Sequence, residues 1–377
     1  MDTINTLLSL AQLRMQTRDV RVWRQRIPLF LQLLRSLSAE QAQVLSQRLL
    51  ALHPLQDEEE GDVLLLLAHI NMFAPGALAP LLPTLVARQQ FYPGHLYLGA
   101  GEENCQQLLS LINISSEMHR SHLLTALAWV GNEEVQAQFS SWRLHPPAWQ
   151  SELFVPPENY SLEASWELTE DGRRRDLYFS TCFELIPVEQ ADPFQRMVAE
   201  QATSHECCAW CQRPLRRLLD LDLRDPRCRW IAAEGERLCL VVCPRCSFYA
   251  TIYLDITLAG EARWSHLNGE MPALLHRIPD DGELVELPEP LGLGMARRTP
   301  FEAVGRFLLD EKGTSQLGGH PEWIQDAVYP QCPVCQQTMP CLGQVAFEDW
   351  DENDGEGVFY LFLCLLCRKA ATHYQQT

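Results

Sequence analysis

Four Cys-x-x-Cys pairs are the residues whose types and spacing point to chemistry. Cys208 and Cys211 form the first pair, and Cys243 and Cys246 follow after 31 intervening residues. Cys332 and Cys335 form the third, and Cys364 and Cys367 follow after 28. A Cys-x-x-Cys turn points two thiolates at one ion while nearby backbone amides stabilise their charge. Two such turns complete a tetrahedral shell of four sulfurs, which suits zinc and leaves no position open for water or substrate. One pair alone is ambiguous with a redox motif; two pairs at ribbon spacing, twice over, read as two structural zinc ions. Cys207 adjoins Cys208 and is the alternative ligand there, at Cys-x3-Cys spacing, and His205 is a further competitor. The other three pairs favour Cys208.

The two sets read as copies of one unit. The run after Cys211 (Gln-Arg-Pro-Leu) parallels the run after Cys335 (Gln-Gln-Thr-Met). Extended segments follow, Leu218–Leu223 and Leu342–Phe347. Apolar strands, Leu238–Val242 and Val358–Leu363, lead into the second pairs. Strand-like runs, Phe248–Ile256 and Ala370–Tyr374, come after them. The sequence thus predicts zinc ribbons at about 204–257 and 328–375, packed as one pseudo-symmetric domain, with zinc tying short strands that have little core of their own. Cys105, Cys182, Cys228, Cys239 and Cys341 stand off the pairs; Cys105, Cys182, Cys239 and Cys341 read as small buried apolar side chains.

Composition bounds the rest. The chain has 377 residues and a net charge of −19. Only Lys312 and Lys369 are lysines. Residues 151–377 hold 36 acidic side chains against 20 basic ones, a balance that repels phosphate backbones and favours basic partners. Fourteen cysteines without an export signal point to metal binding in the cytoplasm rather than to disulfides. No apolar run is long enough to span a bilayer. No phosphate loop, His-Glu-x-x-His or Gly-x-Ser-x-Gly elbow is present, and Gly292-Leu-Gly294 lacks the third glycine of a dinucleotide loop. Asp349, Asp351 and Asn353 begin a calcium-loop pattern, but Asp354 stands where glycine is required and Tyr360 where glutamate is. The stretch Glu348–Glu356 reads instead as an acidic hairpin tip around Trp350. Asp57–Glu60 reads as a loop or helix N-terminus, and Arg173–Arg175 as a hairpin turn.

The elements that must position these residues fall into two parts, an α+β, multidomain layout. Residues 1–150 read as helices: an apolar stripe from Leu7 to Met15, a second from Ile27 to Leu37, and a helix to about Leu52 opened by a Ser38–Gln41 capping box. Val63–Phe73, Leu78–Ala87, Asn104–Ile112, Ser121–Val130 and Glu133–Trp142 continue the series. Leu123–Trp142 is similar to a HEAT-type repeat, so this part is expected to be a helical repeat or a bundle. After the Leu144-His145-Pro146-Pro147 break the pattern turns β-rich over 151–377, beginning with strands around Leu177–Phe179 and Cys182–Ile186.

The run Gln316-Leu-Gly-Gly-His-Pro-Glu-Trp-Ile-Gln325, then Tyr329 to Cys335, Leu342-Gly-Gln344 and Gly357–Cys367 resembles the C-terminal part of the bacterial YwqG-like family, a domain of unknown function. The resemblance spans about residues 313–370. It implies a β-rich fold with no accepted enzymatic activity, in a family with members among the immunity proteins of bacterial toxin systems. The metal ligands rest on this chain's own spacing. Together these readings lead to a non-enzymatic, zinc-containing, protein-binding protein. Its expected partner is a toxin domain with a basic cleft, whose active site it would occlude. A zinc-ribbon module acting on nucleic acid or the translation apparatus is the alternative, and the acidity of residues 151–377 weighs against it.

Overall fold

The computed structural model describes residues 3–17, 20–55, 60–187, 203–278, 291–306, 313–349 and 357–376. The chain divides into two compact units, Met1–Asp176 with Val304–Glu311, and Leu177–Ala303 with Lys312–Thr377.

The first unit is helical. Its helices are α1 (Thr3–Gln16), α2 (Val20–Arg24), α3 (Ile27–Arg35), α4 (Ala39–Leu52), α5 (Glu60–Phe73), α6 (Leu82–Ala87), α7 (Glu102–Leu111), α8 (Glu117–Val130) and α9 (Glu133–Leu144). Ser38 opens α4 with the expected capping box: its hydroxyl accepts from the Gln41 amide at 3.2 Å, and the Gln41 side chain accepts from the Ser38 amide at 2.9 Å. α5 is apolar around much of its circumference and so is buried, with Leu66, Leu67 and Ala68 fully enclosed. It packs against α1, α3 and α4. Asn71, near its end, donates to the carbonyls of His95, Leu96 and Leu98 and accepts from the Gly76 amide, tying two loops to the helix. The segment Leu123–Trp142 lies on a helix pair, α8 and α9. Gly131 ends α8 in the left-handed conformation and Asn132 caps α9 through the Val135 amide.

The change of character expected near residue 150 does not end this unit. A small hairpin, β1 (Trp166–Leu168) with β2 (Arg174–Asp176), stays with the helices. Trp166 is fully buried, stacks on Phe139 at 5.7 Å and donates its indole N–H to the Ala128 carbonyl at 2.8 Å. Arg174 lies over the Trp166 ring and donates to the Gly131 carbonyl. The basic run, expected to be a hairpin turn, instead follows the turn: Arg174 and Arg175 lie on β2, with Arg175 paired to Glu167.

The second unit holds β3 (Phe179–Pro187), β4 (Thr203–Cys207), β5 (Pro214–Asp222), β6 (Arg237–Val242), β7 (Ile252–Ile256), β8 (Ala262–Trp264), β9 (Leu291–Arg298), β10 (Gln316–Gly319), β11 (Cys341–Ala346), β12 (Val358–Cys364) and β13 (Lys369–Gln375). Eight of them form one antiparallel sheet in the order β8-β7-β13-β12-β11-β10-β3-β9, and β4-β5-β6 form a second. β12 is buried along its whole length, because alternate residues face opposite sides of a sheet. Phe359, Leu361 and Leu363 enter a core shared with Leu215, Leu219, Leu240 and Val242 of the smaller sheet. Tyr360, Phe362 and Cys364 enter a second core with Cys332, Met339 and Trp323. The Gly-Gly pair that ends β10 is set by close approach: both glycines have positive φ, and a Cβ on Gly318 would lie 1.9 Å from the Thr181 carbonyl oxygen.

The strand expected over Phe248–Ile256 is shorter than the sequence suggests. A 3-10 turn over Cys246–Phe248 precedes it, because the Ser247 hydroxyl accepts from the Cys243 amide and the Tyr249 and Ala250 amides both return to the Cys246 carbonyl. Among the described residues no helix is long and apolar enough to cross a membrane.

Candidate metal centres

The first pair of each set sits on a tight hairpin turn, and the two turns have the same hydrogen bonds. Cys208 donates its amide to the Arg213 carbonyl at 2.9 Å, and Cys332 donates to Gln337 at 2.8 Å. Gln212 and Gln336 close the turns on the Cys208 and Cys332 carbonyls at 2.8 and 2.9 Å. Both glutamines adopt the left-handed conformation, with φ of 62° and 60°. That conformation is unfavourable for a side chain with a Cβ, so the turn itself enforces it. The chain enters and leaves each turn on a matching bridge, Cys207 opposite Pro214 and Gln331 opposite Thr338.

The likeness continues beyond the turns. β5 pairs with β6 as Arg217↔Val241 and then Leu219↔Leu240, so Leu218 is bulged. β11 pairs with β12 as Cys341↔Phe362 and then Gly343↔Leu361, so Leu342 is bulged. Cys208 and Cys332, Arg217 and Cys341, and Leu218 and Leu342 are all 124 positions apart. The bulge adds local twist, and both bulged leucines are buried in the same core. Each hairpin returns its strand end to the side of the first turn. Cys243 and Cys246 thereby meet Cys208 and Cys211, and Cys364 and Cys367 meet Cys332 and Cys335.

In each set the four Sγ atoms lie within 4.8 Å of one another. Cys211 Sγ to Cys243 Sγ is 3.5 Å, and Cys335 Sγ to Cys364 Sγ is 3.8 Å. A Zn–S bond of about 2.3 Å makes the edge of a tetrahedral S4 shell about 3.8 Å, whereas a disulfide is about 2.05 Å. None of the fourteen cysteines is in a disulfide. The spacing thus fits one tetrahedral ion per set. Amides serve the sulfurs as well: the Cys246 N–H points to Cys243 Sγ at 3.3 Å. Hydrogen bonds from Cys243 and Cys246 hold the Cys208 thiol down to about 4, while the same sharing pushes Cys246 up. At the second set the Gln337 amide is foremost in holding Cys335 low. In each set the other sulfurs that shift are pushed up instead, so the four thiols cannot all ionise together without a cation among them.

All eight predicted ligands are brought together. Cys207 is exposed and lies outside the cluster, on the strand side of the turn. The side chain of His205 lies outside the described residues. Cys239 and Cys341 are pushed up to about 12 by burial, and Cys105 likewise, so they stay neutral thiols. Cys182 is buried with its Sγ 3.3 Å from Gln316 Oε1, and Cys228 is buried in a 3-10 turn. Asp349, read as part of an acidic tip, accepts from the Gly313 and Ser315 amides and so braces the backbone. Trp350 and residues 351–356 lie outside the described residues, as do 57–59.

Sequence reading missed the residues that clothe the turns. Trp210, between Cys208 and Cys211, packs edge-on against Trp264 at 5.0 Å and donates to the Gly269 carbonyl at 3.0 Å. Arg245, between Cys243 and Cys246, donates to the carbonyls of Leu275 and Ile278. Only the glutamine after Cys211 and Cys335 left a signal, as part of the parallel between the two copies.

Comparison with known proteins gives one relative and no function. The chain is 37% identical over 274 residues to the uncharacterized protein YpfL of Salmonella typhimurium, an alignment covering 72% of this chain and 62% of that protein. The chain thus spans less than two thirds of the curated relative it matches. No family model matches the chain. No solved structure matches it either.

Proposed function

We propose that the chain holds two structural zinc ions and acts as a non-enzymatic protein-binding protein. The observation that carries the zinc reading is the pair of closed four-sulfur sets. All-cysteine shells suit structural ions, because a catalytic zinc keeps a position free for water. The binding reading is supported by the net charge of −19, which speeds encounter with a basic partner. Its finer form, suggested by the YwqG-like resemblance, is an immunity protein that occludes a toxin's active site. The helical first unit, as repeat or bundle, would supply a second binding surface.

The zinc reading is tested by elemental analysis of protein purified without added metal, where two zinc ions per chain are expected. Metal-free folded protein would refute it. The binding reading is tested by affinity isolation from the native cell with mass spectrometry and sizing. A near-stoichiometric protein partner is expected, and a monomer without one would refute the reading.

A further inference from the structure

The helical unit holds a cavity of about 630 Å³, well away in sequence from the cysteines of either centre. Clefts of about 300–1,000 Å³ are the usual size for small ligands. Its walls come from the first turns of α5, from the run 87–93 that leaves α6, and from α8. His119 stands three residues and Met118 four before His122, so one side of α8 presents all three. Much of the wall is aromatic. The Tyr92 ring lies 5.3 Å from that of His122, and Phe91 lies 6.5 Å from His119. Phe91 is buried, whereas Tyr92 is 54% and Met118 63% exposed. An aromatic face left open beside a cleft suits stacking against another ring.

The lining itself sets the charge of the occupant. Arg88, His119 and His122 are its bases, and no carboxylate lines it. Asp62 and Glu117 adjoin lining residues along the chain but are not among them. Arg88 donates from Nη1 to the Leu55 carbonyl at 2.6 Å, which steadies the guanidinium, and among the described residues it has no carboxylate partner. The imidazole nitrogens of His119 and His122 likewise make no hydrogen bond among the described residues. His122 is held below its usual value by burial first and by the charge of His119 second. At neutral pH it is therefore an uncharged ring with one N–H to give. Arg88 is the permanent charge on this lining, in a chain whose net charge is −19. One fixed cation suits a monoanion, and a guanidinium edge matches the two oxygens of a carboxylate.

We propose that this cavity binds a small aromatic carboxylate. The ring lies against Tyr92 and Met118, and the carboxylate accepts from the Arg88 guanidinium and from an imidazole N–H of α8. Tyr92 supplies the stacking surface and Arg88 the choice of charge. Every lining residue belongs to the helical unit, so the proposal stands independently of the zinc and protein-binding readings.

The test is isothermal titration calorimetry of the full chain with three probes of similar shape and different charge: naphthoate, naphthamide and naphthylmethylammonium. One naphthoate per chain is expected, held roughly tenfold more tightly than the amide, with the ammonium weakest. Arg88→Gln should bring naphthoate down to the affinity of the amide and leave the amide unchanged. Arg88→Lys, which keeps the charge, should restore part of the preference, and Tyr92→Ser should weaken naphthoate and amide alike. Both side chains are exposed, so these variants should keep the wild-type melting temperature. No saturable binding of naphthoate, equal affinity for the three probes, or binding that Arg88→Gln and Tyr92→Ser leave untouched overturns the proposal. Zinc content and capture of a protein partner are read separately and stand or fall on their own.

Discussion

Gln212 and Gln336 hold the same left-handed conformation at φ of 62° and 60°, each closing a cysteine turn on the carbonyl four residues before it. The pair shows that the two centres share one backbone design, and it separates what the turn needs from what the side chain adds. Glycine is at ease in that conformation, and a β-branched residue is not. Gln336→Gly should leave zinc content at two and change stability little. Gln336→Val should lower it by about 1–2 kcal/mol, read as a fall in the urea midpoint with the slope retained.

Zinc stoichiometry should follow the clusters and not the cysteine count. Cys335→Ser and Cys243→Ser should each lose one ion. Cys207→Ser should retain both, because Cys207 lies outside its cluster. Elemental analysis beside far-ultraviolet circular dichroism checks this, and a chelator should disrupt the β-rich unit before the helical one. An iron signal with thiolate charge-transfer colour in place of zinc would change the metal but not the ligands.

The helical unit should weaken in acid for a reason that lies in one residue. His95 is fully buried against Trp129, and burial lowers it from 6.5 to about 4. The folded state thus binds fewer protons than the unfolded one between these values, so the stability is present above pH 6.5 and is lost as pH falls toward 4. The full effect is about 3 kcal/mol. Thermal melts of the first unit from pH 7 to 4.5 should fall steeply in the wild type and less steeply in His95→Phe. Equal slopes would assign the acid sensitivity elsewhere.

Gly318→Ala should be among the most damaging small changes. The added methyl would meet the Thr181 carbonyl oxygen at 1.9 Å, and φ is 73°. The pairing of β10 with β3 already shifts register between Gly318 and Gly319, leaving little slack. A loss of more than about 2 kcal/mol is expected, measured as a lower denaturation midpoint of the β-rich unit. Gly101→Ala, with open space around it, is the control and should be near neutral.

Much of the second unit was legible because ribbon ligands are local in sequence. Two residues between paired cysteines and about thirty between pairs leave few geometries, and the strands leading to the second pairs alternate or run apolar as buried strands must. The capping box at Ser38 was legible for the same reason. The end of the helical unit was not. The Pro146-Pro147 break is a local signal, whereas Trp166 belongs to the helices through contacts with Ala128 and Phe139, which composition does not record. The turn over Cys246–Phe248 was missed because its apolar residues suit a strand, and a single serine hydroxyl redirects the chain.

The sequence by itself determined the eight cysteines that cluster, their division into two sets, the helical first part and the repeated hairpin around each set. Spacing and periodicity are properties of neighbours along the chain. Only the tertiary structure decided that the strands after the two centres, β7 and β13, pair with each other, with Lys369 salt-bridged to Asp255 across 114 positions. It also decided that one centre is clothed by the chain's own Trp264 and Leu275 while Val334 and Leu366, between the paired cysteines of the other, stay exposed. Both outcomes turn on which distant segments compete for the same apolar surface, and that competition is settled only when the whole unit packs.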